Sequence, residues 1–253
     1  MEIPKSTRNQ NPSNSNNDQE LDPNALTEQT ENANATMEVY NRIRQETKPY
    51  KVSMLGREII VYPGVFSPKY FTDTEYFADR IPKIVGQSKF LEMGSGTGAV
   101  SVFCSLNGAE TTSTDINPKA VENTKENARL NNVQIDVRSG NLFEGIGEDE
   151  KFDFIFWNHP WNPVPAPEND VLLLAGFDED HKATKKFIQE SKKHLKPNGS
   201  ILLGTGGFAK VDELEQFAQE QGYETSLLHK DQVPIEPGNP VVIDYMVYEY
   251  KLK

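Results

Sequence analysis

From Asp73 to the end of the chain, short apolar runs alternate with longer amphipathic ones, and no other feature restricts the fold as much. DTEYFADRIPKIV (73–85) has helical spacing, KFLEM (89–93) is a short apolar strand, GAVSVFCSLNG (98–108) is helical and ends on Gly108, and AETTSTD (109–115) is a strand. PKAVENTKENARLNN (118–132) reads as a long helix opening on Pro118 and closing on Asn131-Asn132. VQIDVRS and KFDFIFW follow as strands, DHKATKKFIQESKKHL as a helix ending before Pro197, SILLGTG as a strand and VDELEQFAQEQG as a helix. ETSLLH and VVIDYMVYEYKL are the last two strands. Strands separated by helices return in the same direction, so the pattern predicts an α/β fold: a mostly parallel sheet with helices on both faces. The last two strands are joined only by a loop, which predicts an antiparallel member at the sheet edge.

The first 35 residues are rich in Asn, Gln, Ser, Thr and acids and nearly devoid of apolar side chains. Such a segment cannot bury enough surface to offset its ordering entropy, so 1–35 is expected to be a disordered tail. Residues 36–72 read as an extension: a short helix at TMEVYNRIRQET, where Met37, Tyr40 and Ile43 share a face, then two strands in YKVSMLGREIIVY turning near Gly56. The regular domain is 73–253. A single cysteine, Cys104, excludes an intrachain disulfide and reads as a small buried residue. The net charge of −12 disfavours long nucleic acid as a partner. No long apolar segment or apolar leader is visible, which gives the expectation of a cytoplasmic protein that does not enter a membrane.

Four places could carry chemistry, all where a strand gives way to a loop or helix. In FLEMGSGTG (90–98), Gly94, Gly96 and Gly98 remove Cβ atoms where the chain turns sharply and a ligand could touch backbone. The spacing G-x-G-x-G lacks the pattern that seats a pyrophosphate, which tilts the ligand away from NAD. Asp115, at the end of the next strand, could accept both ribose hydroxyls of an adenosine or simply cap a helix, a job Asn117 could also do. Asn141 could meet an adenine amino group, with Leu142 or Phe143 flanking the ring; a turn asparagine is the plainer reading. Finally, FDFIFW stops on Asn158, followed by His159, Pro160 and Trp161. Proline stiffens this loop, so its carbonyls can converge on one point while Trp161 offers a flat face. That suits a planar group bearing NH2, whose two hydrogens the loop would accept. His159 could take part in proton transfer.

EMGSGTGAV, TDINPKAVENTKENARLN, GNLFEG and FDFIFWNHPWNPVP, in this order, resemble the motifs of class I S-adenosylmethionine-dependent methyltransferases. Within these the chain is similar to the branch that methylates the glutamine amide nitrogen of translation release factors and a ribosomal protein. VYPGVFSPKYFTDTEYFAD, with its Thr74-Glu75 pair, and LLAGFDEDHKATKKFI resemble further segments of that branch. The resemblance implies a Rossmann-like, seven-stranded, doubly wound sheet with an antiparallel last strand. It implies S-adenosylmethionine as cofactor, held by Glu92, Met93, Gly94, Ser95, Gly96, Gly98, Asp115, Ile116, Asn141, Leu142 and Asn158. It places catalysis on the 158–161 loop, with Asn158 and Pro160 holding the acceptor, and no metal is expected. The family's Asn-Pro-Pro-Tyr is Asn-His-Pro-Trp here, and its usual aspartate after the third strand is Asn141. The methyl acceptor could be a protein glutamine, a nucleobase amine or a small metabolite; a non-catalytic cofactor-binding protein is the lesser alternative. A small partner protein is a further expectation, since the branch's short members use one.

Overall fold

The computed structural model of the chain describes residues 23–236 and 238–253. Helix α1 (Pro23–Arg44) comes first, then a hairpin of β1 (Tyr50–Met54) and β2 (Arg57–Val61). Leu55 and Gly56 both have positive φ at the turn, the geometry that matches the right-handed twist of a two-residue hairpin. The domain proper runs α2 (Asp73–Val85), β3 (Lys89–Met93), α3 (Ala99–Leu106), β4 (Glu110–Asp115), α4 (Pro118–Leu130), β5 (Ile135–Ser139) and β6 (Phe152–Asn158). It continues through α5 (Lys182–Ser191), β7 (Leu195–Gly206), α6 (Val211–Glu220), β8 (Tyr223–Pro234) and β9 (Val242–Leu252).

β3 to β9 form one seven-stranded sheet in the order β5-β4-β3-β6-β7-β9-β8. β3 pairs parallel with both β4 and β6, and β6 pairs parallel with β7. The order therefore reverses between β3 and β6. Right-handed crossovers then put α3 and α4 on one face and α5 on the other, and the reversal opens a crevice above the carboxyl ends of β3 and β6. β9 is antiparallel to both of its neighbours.

Two expectations need correction. The antiparallel strand is not at the edge: β9 lies between β7 and β8. Tyr245, Met246, Val247, Tyr248 and Tyr250 of β9 are buried, whereas β8 beyond Tyr223 is polar and mostly exposed, so burial favours the inner position for β9. The expected tail ends sooner than residue 35, because α1 already begins at Pro23; residues 1–22 lie outside the described residues. Tertiary packing orders α1. Its Tyr40 and Ile43 are buried in a second apolar cluster with Tyr70, Phe71, Leu172, Leu173 and Phe177, while Ala33 and Met37 pack against it. The main core lies around the sheet, with Phe90, Phe152, Phe156, Phe187 and Ile201 fully buried.

The hairpin docks on α4 through asparagines. Asn123 and Asn127 accept the backbone N–H groups of Tyr62 and Ile60 at 2.8 and 2.7 Å, and both side-chain amides donate to the Ile60 carbonyl. One turn on, Asn131 donates to the Glu58 carbonyl. A row of amides at i, i+4 and i+8 thus serves an unpaired strand edge as a neighbouring strand would.

Candidate active site

A cavity of about 570 Å³ opens where β3, β4, β5 and β6 end. Its lower half is the Met93–Val100 turn with Asp115, Ile116, Asn141 and Leu142; its upper half is Asp73, Asn158 and Trp161 under α1 and the 165–183 segment. Met93 of β3 is in register with Trp157 of β6, so Gly94 and Asn158 leave adjacent strands at the same level, about 4.8 Å apart by ordinary strand spacing.

The three glycines of the turn all have positive φ, but for different reasons. A Cβ on Gly94 would come within 2.8 Å of Trp157 Nε1, so that glycine admits the indole of β6. A Cβ on Gly98 would lie 2.5 Å from Thr124, so that glycine lets α3 approach α4. Gly98 does not line the cavity, and its expected place in the cofactor set is corrected to helix packing. Around Gly96 a Cβ would meet none of the described residues within 4 Å: the backbone there faces open cavity, as a turn that cradles a ligand must.

Asp115 is buried, and each of its oxygens takes one backbone N–H, from Gly96 at 2.8 Å and from Asn117 at 2.8 Å. A carboxylate has about four lone-pair sites, so acceptor capacity remains for two hydroxyls. Capping of α4 falls to Asn117, which accepts from Lys119 N–H. Burial raises the Asp115 carboxyl above its ordinary pKa, opposed by those N–H donors. Ile116 is 42% exposed on the cavity wall, an apolar surface suited to a planar ring. Glu92 is buried and accepts from the Ser101 N–H and hydroxyl; desolvation pushes its carboxyl up to about 8. Met93 turns into the core, where its sulfur takes the Thr114 hydroxyl, and Ser95 pairs with the Thr124 hydroxyl. Asn141 sits exposed at the rim, its N–H bound to Glu144. Leu142 lines the cavity, but Phe143 does not: it stacks on His194 at 4.7 Å in the core, so the expected flanking role fails for it.

The 158–161 loop divides between cavity and core. Asn158 donates its amide N–H to Asp73 Oδ2 at 2.7 Å, while its Oδ1 is buried and has no partner among the described residues. Pro160 lines the cavity. Trp161 is seated on Gly206, where any Cβ would lie 2.4 Å from the indole, and packs against Phe208 and Tyr245. A part in proton transfer, which the sequence leaves open for His159, does not suit its setting. It is 1% exposed, with Nε2 against the Thr205 hydroxyl at 2.9 Å and Nδ1 against Thr184 Oγ1 at 3.3 Å. Thr184 gives its one hydroxyl proton to Asp178, so it can only accept from Nδ1–H. Burial, together with nearby His181, holds His159 neutral, far below the usual histidine range. Its ring braces the loop from beneath.

Sequence reasoning overlooked Asp73 and the roof. Asp73 begins α2, and an acid in a first helical turn looks like ordinary dipole compensation. Only the tertiary structure puts it against Asn158. The roof residues Thr36 and Tyr40, and the 3₁₀ turn Val171–Ala175, lie far apart in sequence; the turn runs into the family-like LLAGFDEDHKATKKFI segment, but no local pattern aims it at the cavity.

Residues 56–224 match the family profile of the methyltransferase small domain. Over 190 residues the chain is 34% identical to a putative protein N5-glutamine methyltransferase of Methanocaldococcus jannaschii, covering 73% of this chain and 94% of that protein. It is also 34% identical over 167 residues to the release factor glutamine methyltransferase of Aquifex aeolicus, covering 60% of this chain and 58% of that one. Among solved structures, the T. thermophilus 16S rRNA N2 G1207 methyltransferase, in complex with AdoMet and guanosine, superposes with a TM-score of 0.61 at 20% identity. That match covers 81% of this chain and 50% of that one, and likeness at such identity speaks for the fold. The open cradle at Gly96, the spare acceptors of Asp115 and the exposed Ile116 fit S-adenosylmethionine as cofactor. The crevice, its cradle and these matches agree, and the chain belongs to the methyltransferase small domain family of S-adenosylmethionine-dependent enzymes.

Proposed function

We propose that the chain methylates the side-chain amide nitrogen of a protein glutamine. The observation that carries this reading is the buried Oδ1 of Asn158, which has no partner among the described residues, on a strand adjacent to the one that leads into the Gly94 turn. A buried acceptor without a donor costs about 1–3 kcal/mol, a deficit that an incoming NH2 group removes. Accepting one amide hydrogen there fixes the nitrogen and favours positive charge on it as it forms the new bond. The likeness to the two glutamine methyltransferases supports an amide over an amine. The cofactor, when bound, supplies a sulfonium methyl group that is already electrophilic. This chain's residues therefore need to supply alignment and exclusion of water. Asp115, Ile116 and the Gly96 cradle would hold the nucleoside, Asn141 and Leu142 its base, and Asn158 the acceptor; Pro160 keeps the loop rigid. Neutral, buried His159 offers no base, and the methylated nitrogen can lose its proton to solvent.

The test is transfer of tritiated methyl from S-adenosylmethionine to a release factor bearing a Gly-Gly-Gln loop. Label is expected in that loop and absent when its Gln is changed to Ala. Asn158→Ala should leave cofactor affinity nearly intact and lower turnover at least about tenfold, or ~1.4 kcal/mol. Label appearing in RNA or a small metabolite instead, or an Asn158→Ala variant as fast as wild type, overturns the reading.

A further inference from the structure

An asparagine amide is nearly symmetric in shape, so nothing intrinsic decides whether Asn158 presents oxygen or NH2 to the cavity. We infer that Asp73 is the positioning residue that makes this choice: its carboxylate takes the Asn158 Nδ2–H and so turns Oδ1 toward the methyl acceptor. The inference rests on the proposed role of Asn158 for its catalytic meaning, but the orientation itself needs no acceptor.

The geometry is selective. Asp73 is 3% exposed and its Oδ2 lies 2.7 Å from Nδ2. An ionised carboxylate only accepts, so it cannot pair with Oδ1, and the flipped amide would set two acceptors against each other. The flipped amide would also aim two donors at an incoming NH2. Asp73 sits in the first turn of α2, a segment separate from both the cofactor turn and the loop it orients. Hence it acts on the amide from a separate element, although it too lines the cavity.

Protonation reverses the logic. A neutral Asp73 gains a hydroxyl that can donate to Oδ1, so both amide orientations become possible. Desolvation raises the Asp73 carboxyl to about 6, against the opposing hydrogen bonds from Asn158 and Thr74. Among the described residues, the titratable groups that feel its charge are the phenols of Tyr40 on α1 and Tyr245 on β9; burial raises both far above ordinary values, so both stay neutral. Above its folded-state pKa the carboxylate locks Asn158; below it the lock is lost.

The experiment follows the Asn158 side-chain NH2 resonance in asparagine-15N-labelled full-length protein saturated with S-adenosylhomocysteine, with the signal assigned by its loss in Asn158→Ser. In wild type it should move with an apparent pKa near 6, and the movement should vanish in the isosteric Asp73→Asn. With the glutamine acceptor at saturating cofactor, kcat should fall below that pH in wild type but not in Asp73→Asn, and Asp73→Ala should lose at least about tenfold in kcat. Unchanged melting temperature and S-adenosylhomocysteine affinity show that the variants are folded. A resonance that ignores Asp73, or a wild-type acid limb that persists in Asp73→Asn, overturns the inference. A resonance that titrates in a protein that does not methylate the release factor supports the inference while overturning the glutamine reading.

Discussion

Gly96 and Gly98 are two positions apart in one motif, yet their physical duties differ. Both have positive φ, so any side chain at either costs on the order of 1 kcal/mol in backbone strain. Gly98→Ala also drives a methyl into Thr124, which adds about 1–3 kcal/mol of overpacking. Its melting temperature should fall clearly further than that of Gly96→Ala in differential scanning calorimetry. Gly96→Ala places its methyl in open cavity, so its main loss should be cofactor affinity, read by isothermal titration. Equal melting temperatures in the two variants would show that the α3–α4 approach is not what Gly98 serves. The motif was legible because glycine is rare at regular spacing after a strand. The division of labour within it was not, because Thr124 and Trp157, which decide it, are distant in sequence.

At the scale of elements, the row of asparagines on α4 joins the N-terminal hairpin to the domain. Asn127 accepts from Ile60 N–H and donates to the carbonyls of Ile60 and Thr97, all from a fully buried position. Asn127→Ala leaves those backbone groups without it and should cost roughly 2–4 kcal/mol. For a chain of this size that is a fall in melting temperature of about 4–16 °C. Asn127→Asp, which keeps the acceptor but not the donor, should recover only part. A hydrogen-exchange measurement checks the mechanism: Ile60 N–H should lose protection in both variants relative to wild type, and more in the alanine. α1 shows the complementary case. Its mean character is polar, and the reading of a disordered tail followed from composition alone. Tyr40 and Ile43, together with Arg42 paired to Glu236 and Arg44 to Asp170, tie it over the cavity. These ion pairs are partly exposed and contribute little, so the buried ring and the isoleucine carry the docking.

For the whole molecule, carboxylates shifted by burial or by an ion pair set how stability varies with pH. Glu92 titrates near 4.5 when exposed and about 8 in the fold, because burial disfavours its charge. The folded state therefore holds a proton that the unfolded chain gives up above about 4.5. The stabilisation is full below that pH and declines as pH rises through 8, with a slope of up to roughly 1.4 kcal/mol per pH unit. Glu150 acts oppositely: Arg138 holds it down at about 2, so its contribution is lost as pH falls below the ordinary glutamate range. The stability of Glu92→Gln relative to wild type should rise between pH 5 and pH 8 in urea titrations. A difference independent of pH would mean that Glu92 is ionised in the fold.

The sequence alone determined the parallel α/β architecture, the glycine turn after β3, the acid at the end of β4 and the loop at Asn158. Each of these is written in local patterning: apolar period, glycine spacing, and polar residues at strand ends. The inner position of β9, the ordering of α1, the bracing role of His159 and the pairing of Asp73 with Asn158 were decided only by tertiary structure. In each, the deciding partner lies many residues away, and burial selects between local states that the sequence leaves nearly equal in energy.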